Sequence, residues 1–167
     1  FAFEHFVVIP DILTLGKALG GGMPIGAFIS STEKMKSLTN NPMLGHITTF
    51  GGHPVICAAA NACLEVLKTE SWIAQTEQKG LLLENLLKQS DEVVEIRRAG
   101  LLFAIQLQSA ARVQQIVNAC LAKGLIGFWF LSCPDSFRLS PPLSISFEEI
   151  EEAGNLILAA ISETKQG

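Results

Sequence analysis

No apolar run in this sequence approaches the roughly 20 residues that a membrane-spanning helix requires, although the mean hydropathy is high at +0.37. Charge is scarce as well: Lys, Arg, Asp and Glu supply 17% of the 167 residues, against 49% hydrophobic. Such a composition lies far from the disordered class, and the surplus of apolar residues points to faces that meet other protein. The net charge is −4, which argues against nucleic acid or an anionic membrane as the main partner. Cys57, Cys63, Cys120 and Cys133 form no CxxC pair and no zinc spacing. His53 and Cys57 stand four apart but supply too few ligands, so no metal is expected. The cysteines read as buried structural thiols in a reducing, cytoplasmic compartment.

Other absences narrow the chemistry. The Walker pattern needs G-x-x-x-x-G-K-[ST], yet Gly16-Lys17 is followed by Ala18 with no glycine five residues earlier. The dinucleotide fingerprint fails too, because "GGGMPIG" has no βαβ frame around it. No G-x-S-x-G elbow for serine hydrolysis is present. The chain starts at Phe1 with "FAFEHF" and no charged-then-apolar leader, and it reads as an excerpt entered in mid-fold. Internal repeats, low-complexity tracts and linkers are all missing.

What is present alternates between strand and helix. "ILTL" after Pro10-Asp11 reads as a short buried strand delivering Lys17 to its end, and "IGAFISS" as a second strand. "STEKMKSL" suggests a short helix, and "TNNPMLGHITTFGGHP" a loop. Val55 to Lys68 has helical character, with Pro54 at its mouth, where a missing N–H does no harm. A helix is expected from about Trp72 to Gln89, then a strand pair, "VVEIRR" and "LLFAIQL", around Ala99-Gly100. Ser109 can cap a helix that Gly124 ends. "LIGFWFL" and "SFRLS" read as strands, and Ser146 with Glu149 as the capping box of a last helix. Residues 1–70 thus read as the end of an α/β layer, and 71–167 as a small α+β domain.

Three stretches carry candidate chemistry. In "TLGKALGGGMPIGA" one amine sits among five glycines, residues that are costly in regular structure and suit close backbone approach. Lys17 could hold a phosphate, act as a partly desolvated nucleophile, or point into water. "GHITTFGGHP" sets Thr48 and Thr49 beside an aromatic ring and a Gly-Gly turn, where hydroxyls and turn amides can donate to an anion or merely to their own turn. In "FRLSPPLS", Arg138 precedes a rigid Pro-Pro corner. Its planar fork suits bidentate binding of a carboxylate, and a surface salt bridge is the plainer alternative.

Taken in order, these stretches resemble the class-III aminotransferases, pyridoxal-phosphate enzymes of the aspartate-aminotransferase fold. The resemblance runs through "FAFEHFVVIPDILTLGKALGGGMPIGAFISS" and "TTFGGHPVICAAANACLEVL", and recurs at "IRRAGLLFAIQL" and "FRLSPPLSIS". It implies that Lys17 holds pyridoxal 5'-phosphate as a Schiff base and moves the proton between substrate and cofactor carbons. It implies that Thr49, with Thr48 as an accessory, binds the cofactor phosphate of the partner subunit in a homodimer. Arg138 is the implied grip on a substrate carboxylate. The implied fold is the end of the large cofactor-binding domain (1–70) followed by the small C-terminal α+β domain (71–167).

Two departures qualify the match. His53 stands where the family has asparagine between Gly-Gly and proline. The family's Asp-Glu segment, whose aspartate pairs with the pyridinium nitrogen, has no counterpart in these residues, nor have its phosphate-binding Gly-Ser turn and ring-stacking aromatic residue. The expectation is therefore the C-terminal portion of an amino-transfer enzyme, inactive by itself. Its donor would be of the ornithine, acetylornithine or 4-aminobutyrate type, and its acceptor a 2-oxo acid such as 2-oxoglutarate. An aminomutase, racemase or decarboxylase of the same fold would keep Lys17 and the threonines, and a catalytically silent interaction module is the alternative from another class.

Overall fold

The computed structural model describes residues 1–43 and 45–165, so Leu44 of the expected "TNNPMLGHITTFGGHP" loop lies outside the described residues. The chain divides into two compact units, Phe1–Glu70 and Ser71–Gly167. Among the described residues no helix is long and apolar enough to cross a membrane.

The first unit opens with a 3-10 turn, Ala2–Phe6. Strand β1 (Ile12–Leu15) pairs antiparallel with β2 (Ala27–Ser30), with Leu15 opposite Ala27. A second 3-10 turn, Lys17–Gly20, lies in the connection between them. Helix α1 (Thr32–Lys36) is capped by the Ser31 hydroxyl, which accepts from the Lys34 N–H. It is tied to the start of β1 by the ion pair between Lys34 Nζ and Asp11, 2.8 Å long. Helix α2 (Pro54–Thr69) begins on its proline and lies against the Lys17–Gly20 turn. A Cβ on Gly21, whose φ is +56°, would stand 3.3 Å from the Cys63 Cβ, and Cys63 Sγ donates to the Ala18 carbonyl at 3.5 Å.

β1 is not the buried strand expected from "ILTL". Its residues alternate between exposed and half-buried, and among the described residues of this unit only Gly20 and Ala60 are buried. A two-stranded ribbon has too little surface of its own to cover both faces of an apolar strand.

The second unit holds the core. Helix α3 (Trp72–Leu87) leads into β3 (Glu95–Ala99) and β4 (Leu102–Gln106), which turn at Gly100 with a φ of +55°. Helix α4 (Ala110–Ala122) follows, capped by Ser109, then β5 (Phe128–Trp129), β6 (Ser136–Leu139) and helix α5 (Phe147–Glu163). The sheet order is β3-β4-β6-β5, antiparallel throughout. Phe103, Ile105, Phe137 and Leu139 on one face pack with Leu83 and Leu87 of α3, Val113, Ile116 and Cys120 of α4, and Ile150, Ile157 and Ile161 of α5. The expected strand in "LIGFWFL" shrinks to two residues. Gly127 just before them is required to be bare, since a Cβ there would lie 2.1 Å from the Phe137 ring.

Polar side chains lock this core at its edges. The Arg112 guanidinium binds Glu92 at 3.0 Å and the carbonyls of Ile161 and Thr164 at 2.6 and 2.7 Å, joining α4 to the end of α5. Lys79 is buried; its ammonium donates to the Leu143 carbonyl at 3.4 Å and lies over the Phe147 ring.

The cysteines divide. Cys120 is buried, and that burial pushes its thiol up to about 11. Cys57 is exposed, and Cys63 and Cys133 are half-buried, so the expected burial of all four is corrected. Cys57 is on the uncovered side of α2, a position that spacing alone does not distinguish from an inner one.

Candidate active site

The end of β1 sets the geometry of Lys17. Gly16 continues the strand in an extended conformation, and the chain then reverses at Lys17 with a φ of +54°. Left-handed backbone is uncommon for a residue with a Cβ and costs on the order of 1–3 kcal/mol. The turn is closed by N–H donors from Leu19 to Gly16 (3.2 Å), Gly21 to Ala18 (3.0 Å) and Met23 to Gly20 (3.1 Å). Lys17 is exposed, so of the alternatives open to it from sequence the structure of this unit shows the one that points into water. The surfaces around its turn are themselves uncovered in this unit. No hydrogen bond or ion pair engages its amine among the described residues.

Thr48 and Thr49 lie in a turn that leads directly into α2. The Gly51 N–H donates to the Thr48 carbonyl (3.3 Å), and the His53 N–H to that of Phe50 (3.2 Å). A Cβ on Gly51 would stand 2.6 Å from Thr48 Oγ1, so glycine is what lets that hydroxyl fold over the turn. Both threonines are exposed, and neither hydroxyl has a hydrogen-bond partner among the described residues. His53 precedes α2 without a side-chain cap, and the first N–H groups of a helix lack intrahelical partners. Two free hydroxyls beside an uncapped helix start form a donor set suited to an anion. No hydrogen bond joins these hydroxyls to the Lys17 amine among the described residues.

Arg138 belongs to the second unit, on β6. Its register partners are Ala104 on β4 and Phe128 on β5, and directly opposed residues share a face of a sheet. That face is the one turned away from the helices, since Phe137 and Leu139 take the other. The guanidinium carbon lies 5.5 Å from the Phe128 ring centre and 5.7 Å from that of Phe130. Among the described residues no carboxylate is within ion-pair distance of it. The surface-salt-bridge alternative therefore has no partner in these residues. A cavity of about 410 Å³ adjoins the strand, lined by Arg138, Phe128, Leu125, Pro141, Pro142 and Ile145 among others.

The two flanking phenylalanines escaped the sequence reading. Their two-residue spacing was visible, but the register that brings Phe128 opposite Arg138 was not. On the same sheet face Arg97 donates to Ser136 Oγ at 3.3 Å and approaches Cys133 Sγ at 3.6 Å, a contact the sequence did not suggest either.

The sequence model of the class-III aminotransferases matches residues 1–161. The chain belongs to the class-III aminotransferase family. The acetylornithine aminotransferase of Haemophilus ducreyi is 34% identical over 163 residues, which are 98% of this chain and 40% of that protein. Among solved structures, the ornithine aminotransferase from Toxoplasma gondii ME49 superposes with a TM-score of 0.86 at 32% identity, covering 97% of this chain and 39% of the other. The acetylornithine aminotransferase from Elizabethkingia anophelis gives 0.84 at 33% identity, covering 97% and 41%. This class-III chain therefore has the mixed α/β fold of those enzymes and spans about two-fifths of their length. A second structure of the Toxoplasma gondii enzyme has PLP at partial occupancy in its active site. The donor groups of this chain fit such a cofactor: an unengaged amine for its carbonyl, and hydroxyls at a helix start for its phosphate.

Proposed function

We propose that the chain is the C-terminal two-fifths of a pyridoxal-phosphate-dependent aminotransferase, with residues 1–70 closing the large cofactor-binding domain and 71–167 forming the small domain. The parent enzyme is read as a cytoplasmic homodimer. It takes the amino group of an ornithine-, acetylornithine- or 4-aminobutyrate-type donor and passes it to a 2-oxo acid such as 2-oxoglutarate. Bound pyridoxal phosphate supplies the electron sink for the carbanion formed at the substrate carbon.

The residues of this chain divide the remaining work. Lys17 Nζ would hold the cofactor through its carbonyl carbon and, when free, would take up the proton lost from the substrate carbon and give it back. A lysine suits this double task because its neutral amine is both a nucleophile and a base. Thr49 Oγ1, with Thr48 beside it, donates to the phosphate of the cofactor held by the partner subunit. Arg138 presents two parallel N–H donors to the substrate carboxylate and fixes the orientation of the carbon to be deprotonated.

The observation that carries this reading is Lys17 itself, a free amine on a left-handed residue at a strand end. Backbone strain concentrates at functional sites; Val7 and Asn41 are left-handed too, and Lys17 differs from them in carrying an amine at the end of a strand, among glycines. In the parent enzyme, Lys17→Ala is expected to abolish amino transfer while leaving residual cofactor binding through the phosphate contacts. Turnover at the wild-type level would overturn the assignment.

A further inference from the structure

The four arginines of this chain are held in two different ways. Arg98 is occupied by oxygen: its guanidinium meets Glu77 at 2.9 and 2.7 Å and Glu84 at 2.6 Å. Arg112 is bound by Glu92 and two carbonyls of α5, and Arg97 by Ser136 with Glu95 alongside at 3.6 Å. Arg138 has aromatic rings instead, Phe128 at 5.5 Å and Phe130 at 5.7 Å.

The difference has a chemical consequence. A carboxylate partner would occupy the same pair of N–H donors that an incoming carboxylate needs. A ring face attracts the charge and offers no acceptor oxygen. The rings also restrict a long side chain that would otherwise lose its freedom when a ligand binds. On the other flank, Ala104 is too small to compete for the guanidinium. We propose that Phe128 and Phe130 are positioning residues, which hold the Arg138 fork aimed and unspent for the carboxylate of the 2-oxo acid. This rests on the reading of Arg138 as the carboxylate grip.

The test is kinetic and uses the parent enzyme. Phe128→Leu and Phe130→Leu keep apolar bulk and remove the ring quadrupole, while Phe→Tyr at either position retains it. Each Leu variant is expected to raise KM for 2-oxoglutarate by roughly three- to tenfold with kcat little changed, and the Tyr variants to restore it. In an Arg138→Ala background the same Leu changes should have no further effect on KM. Leu variants indistinguishable from wild type, beside an Arg138→Ala enzyme whose KM does rise, would overturn the positioning role and leave the Arg138 reading standing. An Arg138→Ala enzyme with unchanged KM would overturn both. Equal effects of the Leu changes with and without Arg138 would mean that the rings touch substrate themselves, which also contradicts the proposal.

Discussion

Arg138 and Lys17 are both cations that no carboxylate of the described residues neutralises, and they are left available by different means. Lys17 is carried clear of its strand by a left-handed turn, whereas Arg138 is braced by two rings. Replacing Arg138 by Lys keeps the charge but not the fork. The loss of one charge-assisted contact is worth about 1.5–3 kcal/mol, so KM for 2-oxoglutarate should rise roughly ten- to a hundredfold in the parent enzyme. Unchanged steady-state kinetics would remove Arg138 from the substrate site. Lys17, Thr48, Thr49 and Arg138 stand out as candidates in short stretches, because unusual glycine, hydroxyl and proline neighbours mark them. Phe128 and Phe130 were not, since their relation to Arg138 is set by the pairing of β5 with β6, and Phe130 lies beyond the strand.

Elements with local signals were read well. Ser109, Pro54 and the Ser146–Glu149 capping box stand at the helix starts where side-chain chemistry places them, because capping is decided within four residues. The strands were less legible. "ILTL" is apolar yet half-exposed, and "LIGFWFL" is interrupted by Gly127, whose space is filled by a ring from another strand. Both outcomes depend on distant partners.

The α3–β3 packing carries its own prediction. Lys88, and with it Arg98, holds the Glu84 carboxyl below its ordinary value of 4.5, and Arg98 does the same for Glu77. A lowered folded-state value means that these carboxylates stabilise the fold fully above about pH 4.5 and lose that contribution as the pH falls through the lowered values. Urea unfolding of the chain between pH 7 and pH 3 should show stability declining below about 4.5. The decline should be shallower in Glu84→Gln. Identical pH dependence in the variant would mean that this ion pair contributes nothing measurable.

On the scale of the whole molecule, the two units differ in how much they bury. The second encloses a continuous core, while the first leaves Val7 95%, Ile9 92% and Phe50 75% exposed, with Phe6 and Ile47 also uncovered. Apolar surface of this extent tends to find a partner. The 167-residue chain by itself is therefore expected to self-associate, and to transfer no amino groups when supplied with pyridoxal phosphate, donor and 2-oxoglutarate. Light scattering and a coupled transfer assay check the two halves of that statement. A monodisperse monomer with full turnover would contradict it.

The central claim is that Lys17 is the residue that carries the cofactor. Borohydride reduction of the cofactor-loaded parent enzyme, followed by peptide mapping, tests it most directly. The predicted result is a single pyridoxyl adduct on the peptide containing "TLGKALGGG", at Lys17. An adduct on any other lysine, or none in the loaded enzyme, would contradict the account.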